Sequence, residues 1–393
     1  MKQTWRWFGP TDQVTIDDML QAGVAGVVTG LYNLAPGIIW SRESIAARKA
    51  EIAVMNDGTP SGLKWDVVES LPVSETIKTN SGDFAAHIAA YKASLRNLAA
   101  EGIRVVCYNF MPLLDWTRTD IAKRMPHGGT AMSFDLADFA MFDMHVLQRI
   151  DAAADYTQAI SSAATTRFEQ TNKAAIDALT TTIVAGLPGA AEHLTLDELH
   201  MALATYDDIG PDALRQNLTA FLQAVIPTAE DCGIQMCCHP DDPPWPVLGL
   251  PRVVSTQADI AFLLGAVDSH ASGLTFCSGS LGARADNDLC AIINQFADRI
   301  HFAHLRNVRR ADDTVPTSFF EDEHLAGSTD MIAVLRTLLQ AHPNPDALPM
   351  RPDHGQDILT DLGQNSAPGY PLCGRMKGLA ELRGAMMALK AGS

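Results

Sequence analysis

Basic residues are scarce in this chain: 29 of its 393 residues are Lys or Arg, against 46 Asp or Glu, for a formal net charge of −17. That balance argues against nucleic acid or an anionic membrane as partner, since both need a basic face from which counterions are released. Long hydrophobic runs are missing too. No stretch approaches the roughly 20 apolar residues of a membrane span. The opening MKQTWRWFGPTDQV has neither the apolar centre nor the small-residue cleavage site of a secretory leader, so the expectation is a protein neither secreted nor membrane-bound. Cysteine is sparse: Cys107, Cys232, Cys237, Cys238, Cys277, Cys290 and Cys373 are odd in number and irregular in spacing. They do not read as a disulfide framework in so long a chain, and they fit a reducing cytoplasm. No GxGxxG follows any apolar run, which removes the main signal for a nucleotide-binding, doubly wound sheet. There is no internal repeat and no low-complexity segment.

What is present is a 47% hydrophobic composition, enough to bury a sizeable core. Short runs rich in Val, Ile and Phe alternate with longer segments of helical period, the pattern of βα units on a parallel sheet. Eight runs stand out, at 4–9, 23–31, 63–71, 103–111, 233–239, 273–279, 299–307 and 347–355. The segment 83–102 between two of them opens on Asp, carries apolar residues every three or four positions and ends on Gly, as a helix should. Eight such strands predict an α/β fold of the (β/α)₈ barrel type, with 1–393 as a single domain. The fourth and fifth runs lie too far apart for one crossover. The excess, about 113–213, is expected to be an insertion covering one end of the barrel, with a hairpin around Gly128 and Gly129 and a polar helical stretch from about Ala137 to Leu187.

In a (β/α)₈ barrel the strand ends and the loops that follow them converge on one spot. The last four runs end in His239 with Asp241 and Asp242, in Cys277, in His304 with Arg306, and in Asp353 with His354. One thiol, two imidazoles and a carboxylate make a donor set suited to a divalent transition metal. Each donor stands alone on its strand, unlike the paired C-x₂-C knuckles of structural zinc sites, and such a site keeps positions open for a substrate. Taken singly, a His at a strand end is more often a hydrogen-bonded structural residue, and a lone Cys a small buried hydrophobe. Asp242, before two prolines, also suits a turn. The weight comes from four donor-bearing ends on four consecutive strands.

Several long strings are recognisable together: CHPDDPPWPVLGLPRVVST, TFCSGSLGARADNDL, HFAHLRNV, PMRPDHG, PGYPLCGRMKGLAELRG, TWRWFGPTD and VCYNFMPLLDWTRTD. They resemble the mannonate dehydratase family over nearly the whole chain. The resemblance implies a xylose-isomerase-like (β/α)₈ barrel that dehydrates D-mannonate to 2-keto-3-deoxy-D-gluconate in hexuronate catabolism. It also implies a divalent metal, Mn²⁺ or Fe²⁺, and a homodimer or larger assembly. Carried over by motif, the metal ligands are His239, Cys277, His304 and Asp353, the four donors that the strand-end argument selects. Cys238 is set aside, because adjacent strand residues point to opposite faces.

Dehydrating a 2,3-dihydroxy acid requires taking the C2 proton and protonating the departing C3 hydroxyl, so a general base and a general acid are needed. By resemblance these are His354 and Tyr370, with the assignment between them left open. A tyrosine base needs its pKa lowered, and a nearby metal or cationic charge, with Arg306 a candidate, is the available cause. Arg306 and Arg351 are candidates to grip the substrate carboxylate, since a guanidinium contacts it in bidentate fashion. Asp241 is expected either to bond a sugar hydroxyl or to orient His239, and Asn109, Trp116 and Arg118 to form the pocket wall or lid. The chain departs from the family after the second run, where GLYNLAPG puts Tyr32 and Asn33 in place of a His-His pair. That change opens the alternative of a dehydratase acting on an epimeric aldonate. A metal-dependent isomerase or epimerase is a further alternative, although such sites are usually built from Glu and Asp rather than Cys.

Overall fold

A computed structural model describes residues 1–185 and 195–392. Among them, twelve strands run in chain order: β1 (Lys2–Arg6), β2 (Gly26–Thr29), β3 (Trp65–Val68), β4 (Val105–Tyr108), β5 (Asp120–Arg124), β6 (Thr130–Phe134), β7 (Gln235–Cys238), β8 (Ser272–Cys277), β9 (Ile300–Leu305), β10 (Asn307–Arg310), β11 (Phe319–Asp322) and β12 (Pro349–Pro352). Eight of them close into a parallel barrel of order β1-β12-β9-β8-β7-β4-β3-β2. Each of the eight runs read from the sequence overlaps one barrel strand, with β1 starting two residues and β8 one residue ahead of its run. Parallel strands buried on both faces need apolar side chains throughout, and β2, β8 and β9 are buried at every position.

Val28, Val67, Cys107, Cys237 and Phe302 fill the barrel interior as one apolar cluster. The barrel is therefore a packed core rather than a pore, and chemistry is confined to an end. Outside it, the helix Phe84–Ala100 buries Ile88, Tyr91, Leu95 and Leu98 along one face and packs on Pro211–Cys232. That second helix starts with proline in its first turn and stops at Gly233, whose φ of +63° is the left-handed cap a glycine supplies readily. Among the described residues no helix is long and apolar enough to cross a membrane.

The remaining four strands form an antiparallel sheet of order β10-β11-β6-β5. Strands β5 and β6 are a hairpin turning at Gly128, whose φ is +93°. Strands β10 and β11 follow β9 after the single residue Arg306. Phe134 of β6 stacks on Phe319 of β11 with ring centroids 5.7 Å apart, and Trp245 packs edge-on against both. The stretch from Ala137 to Leu187 is a series of short helices at Leu136–Met141, Gln158–Gln170 and Lys173–Val184, with a π-helical turn at Phe142–Val146, rather than one long helix. Its last two residues lie outside the described residues. The chain rejoins the barrel's helical ring at Pro211–Cys232.

Candidate active site

Strand β7 alternates faces as it ends. Cys237 points into the barrel interior, while Cys238 joins the outer core beside Tyr108. The backbone N–H of His239 donates to Tyr108 O at 2.9 Å, which extends the ladder one step and turns His239 inward again. Cys277 is the last residue of β8, and its Sγ accepts from the backbone N–H of Ser280 at 3.4 Å. His304 lies one residue before the end of β9, its ring edge-on to Phe302 at 4.5 Å.

The donor atoms of His239, Cys277 and His304 lie within 4.8 Å of one another, and this group could hold a metal ion. Its chemistry fits one. His239 Nδ1 pairs with Pro240 O at 2.7 Å, which fixes the ring and leaves Nε2 as the ligating atom. His304 Nε2 is buried without a hydrogen-bond partner. Burial and the nearby Arg351 guanidinium hold the His304 imidazole well below its ordinary pKa, in the neutral form a metal requires. Burial alone would raise the Cys277 thiol, but Arg306 and His239 pull it below its ordinary value, toward the thiolate.

Asp353 follows β12, and its N–H donates to Leu305 O at 3.0 Å. One carboxylate oxygen is bonded by Arg351, and the other lies 3.1 Å from Arg306 Nε and 3.8 Å from His304 Nδ1. The fourth expected donor thus stands beside the three-donor group, gripped by two guanidinium groups. Burial opposes its charge, yet Arg351, His354, His304 and Arg306 hold Asp353 well below the usual carboxylate range.

A cavity opens beside these donors. His239, Asp353, His354 and Tyr370 line one side, and Asn109, Asp115, Trp116, Asp242, Glu69, Ser70, Arg6 and Arg351 the rest. His354 has a left-handed backbone, φ +49°, unusual for a non-glycine residue and a form of strain that gathers at functional positions. Its ring meets Tyr370 edge-on at 5.2 Å and Trp116 at 6.3 Å. The Tyr370 hydroxyl accepts from Arg6 Nη1 at 2.6 Å and donates to Asp353 Oδ1 at 3.3 Å. Burial pushes the Tyr370 phenol up to about 12 despite the pull of Arg6. The expected lowering by Arg306 does not occur, because the cations beside this ring are Arg6, Arg375 and Arg351.

The proposed substrate contacts divide. Asn109, Trp116 and Arg351 line the cavity, with Arg351 also bonded to Glu69 at 2.8 Å. Arg306 was expected at the substrate carboxylate, but protein groups already occupy it: Asp242, Glu321 at 2.6 Å and Ser280 Oγ at 3.1 Å. Arg118 likewise sits in the wall, bonded to Asp242 at 2.8 Å and to Glu321 at 2.5 Å. Asp241 neither faces the cavity nor orients His239. Its carboxylate accepts from Val254 N and Ser255 Oγ, both at 2.7 Å, and ties down the following loop. Tyr32 and Asn33 line a separate cleft one layer out, behind Phe8.

Arg6, Glu69, Asp115 and Glu321 were not singled out from the sequence. Arg6 ends β1 and Glu69 directly follows β3, so the strand-end reasoning applied to the last four strands would have found both. Asp115 and Glu321 lie outside the barrel strands and carry no comparable signal.

A family model described as D-mannonate dehydratase (UxuA) matches residues 1–393. Mannonate dehydratase 1 of Agrobacterium fabrum is 54% identical over 399 residues, covering 100% of this chain and 98% of that protein. The mannonate dehydratase of Rhizobium meliloti is 51% identical, covering 99% and 97%. Among solved structures, the mannonate dehydratase of Streptococcus suis serotype 2 aligns with a TM-score of 0.76 at 32% identity, over 100% of this chain and 94% of that one.

Proposed function

We propose that this chain, which belongs to the D-mannonate dehydratase family, removes water from D-mannonate to give 2-keto-3-deoxy-D-gluconate. The observation that carries the reading is that two proton-carrying side chains, His354 and Tyr370, face one cavity beside the three-donor group. His239, Cys277 and His304, with Asp353 beside them as fourth donor, would hold a divalent ion, Mn²⁺ or Fe²⁺. When bound, the ion supplies Lewis-acid stabilisation of negative charge on the substrate.

The protein's own groups do the rest. Arg351 and Arg6, both lining the cavity, face the substrate carboxylate, while Asn109, Trp116 and Asp242 take its chain. Of His354 and Tyr370, one takes the C2 proton. The other protonates the C3 hydroxyl, which leaves as water, and the enol formed becomes the 2-keto acid. Each proton carrier contributes on the order of 10²–10⁴ in rate. The whole chain acts as one barrel unit, with the antiparallel sheet walling the cavity. It works in the cytoplasm as a homodimer, in hexuronate breakdown.

The test is to incubate metal-stripped protein, with and without added Mn²⁺, with D-mannonate and separately with D-gluconate, following 2-keto-3-deoxy acid formation. The expected result is product from D-mannonate only after metal is restored. Product from D-gluconate instead would transfer the reading to an epimeric substrate, and no product from either would overturn it.

A further inference from the structure

Glu321 lies on β11, outside the barrel, yet it is buried at the edge of the catalytic cavity. One oxygen, Oε1, meets two groups by hydrogen bonds, Arg118 Nη2 at 2.5 Å and Arg306 Nη1 at 2.6 Å, and lies 3.2 Å from His354 Nδ1, an ion-pair distance from which a small turn of the ring completes a bond. The two arginines converge on Asp242 as well, so the carboxylate is held from two sides. The backbone is fixed too, since Glu321 pairs with Val308 of β10 and its carbonyl accepts from Gln356 Nε2 at 3.0 Å. A carboxylate this constrained has little freedom to follow a moving partner, and the imidazole adjusts to it. From these contacts we propose that Glu321 is a positioning residue of the dehydration. It holds His354 by Nδ1, fixing the ring tautomer with a proton on Nδ1, so that Nε2 is the nitrogen that exchanges protons with the substrate.

The general principle is that a carboxylate bonded to one ring nitrogen decides which nitrogen is free to act. His354 needs such a partner, because its left-handed backbone places the ring without a regular strand or helix to orient it. The sheet β10-β11-β6-β5 thereby contributes to the reaction as well as enclosing it.

The inference rests on the dehydratase reading. It is tested with metal-loaded Glu321→Gln and Glu321→Asp proteins, measuring kcat, KM for D-mannonate, bound metal and melting temperature. For Glu321→Gln the expected result is a kcat about 10- to 100-fold lower, with KM within about threefold and metal content as in the wild type. Glu321→Asp should recover part of the loss. An unchanged kcat, or a kcat that falls only together with bound metal, would overturn the proposal.

Because Glu321→Gln leaves buried arginines short of a partner, a second measurement on the wild-type protein is independent of how that variant folds. In the diamagnetic Mg²⁺-loaded enzyme with ¹⁵N-labelled histidine, the His354 resonance, assigned by its loss in His354→Gln, should show Nδ1 protonated. A bare Nδ1 would refute the role. Failure of the wild-type enzyme to act on D-mannonate would instead count against the dehydratase reading, and the ring-nitrogen measurement would still decide whether Glu321 sets the tautomer.

Discussion

Exchange of single thiols separates the two cysteine environments at the end of β7 and β8. In Cys277→Ser the group His239, Cys277, His304, whose donor atoms lie within 4.8 Å of one another, loses its one sulfur. Residues that only orient a ligand cost roughly 10- to 100-fold in metal affinity when removed, so losing the ligand itself should cost at least about 100-fold. That is about 2.8 kcal/mol at roughly 1.4 kcal/mol per tenfold. Cys238→Ser is different in kind. The Cys238 Sγ lies 3.6 Å from the carbonyl of His239, in the outer core beside Tyr108. A hydroxyl there costs about 1–2 kcal/mol of folding stability and leaves the donors in place. The assay is equilibrium dialysis of each variant against buffered Mn²⁺, with D-mannonate turnover on the same samples. Equal loss of metal from both variants, or full retention by Cys277→Ser, would show that the thiol facing the site has been misidentified.

Tyr370→Phe should lower kcat by about 10²–10⁴ without changing bound metal, and a kcat within a few-fold of wild type would remove Tyr370 from the proton-transfer role. Gly279→Ala should lower both stability and activity, because an added Cβ meets Arg306 Cγ at 2.4 Å and Nε at 2.6 Å. Overpacking of that kind costs about 1–3 kcal/mol, read as a lower melting temperature, and displacement of Arg306 should cost at least tenfold in kcat. Acid should weaken the metal-free fold through His301, which burial holds at about 4, below the ordinary 6.5. Above pH 6.5 this group contributes nothing. As pH falls toward 4 the unfolded chain takes up a proton that the fold refuses, and stability drops by about 2–3 kcal/mol by pH 4.5. Urea unfolding at pH 7.5 and 4.5 measures the drop, and His301→Gln should remove its share, leaving that of His324, which burial also holds at about 4.

The barrel was legible because strands buried on both faces must be written as unbroken apolar runs, and each of the eight overlaps its strand. The three-donor group was legible for a related reason: a polar residue ending such a run has to face the barrel mouth. The antiparallel sheet was legible only as the hairpin β5–β6. Strand β5 is exposed at every position, so it has no alternation of polar and apolar residues to read. Strand β11, which pairs with β6, is separated from its other neighbour β10 by a polar, proline-containing turn that resembles a loop. The wall charges were illegible for a further reason. Arg306 at a strand end has the same sequence signature whether it meets substrate or three carboxylates, and only the pairing with β11 brings Glu321 into its reach. Asp241 and Asp242 are neighbours in the chain, yet one fastens a loop and the other lines the cavity, a distinction made by one step of backbone direction.

Closure of the barrel joins its first strand to its last: Thr4 Oγ1 donates to Met350 O, 346 positions away. During synthesis at about 5–20 residues per second, β1 therefore waits roughly 20–70 s for the strand that seals it. Through that interval the growing protein presents an open sheet edge. Asp353 and Tyr370, the proposed fourth donor and proton carrier, have yet to emerge. The strand that closes the barrel and the two cavity residues beyond it thus arrive within about 20 positions of one another, and a chain released before residue 350 is a sheet with unpaired edges, a substrate for chaperones and proteases rather than a partly active enzyme.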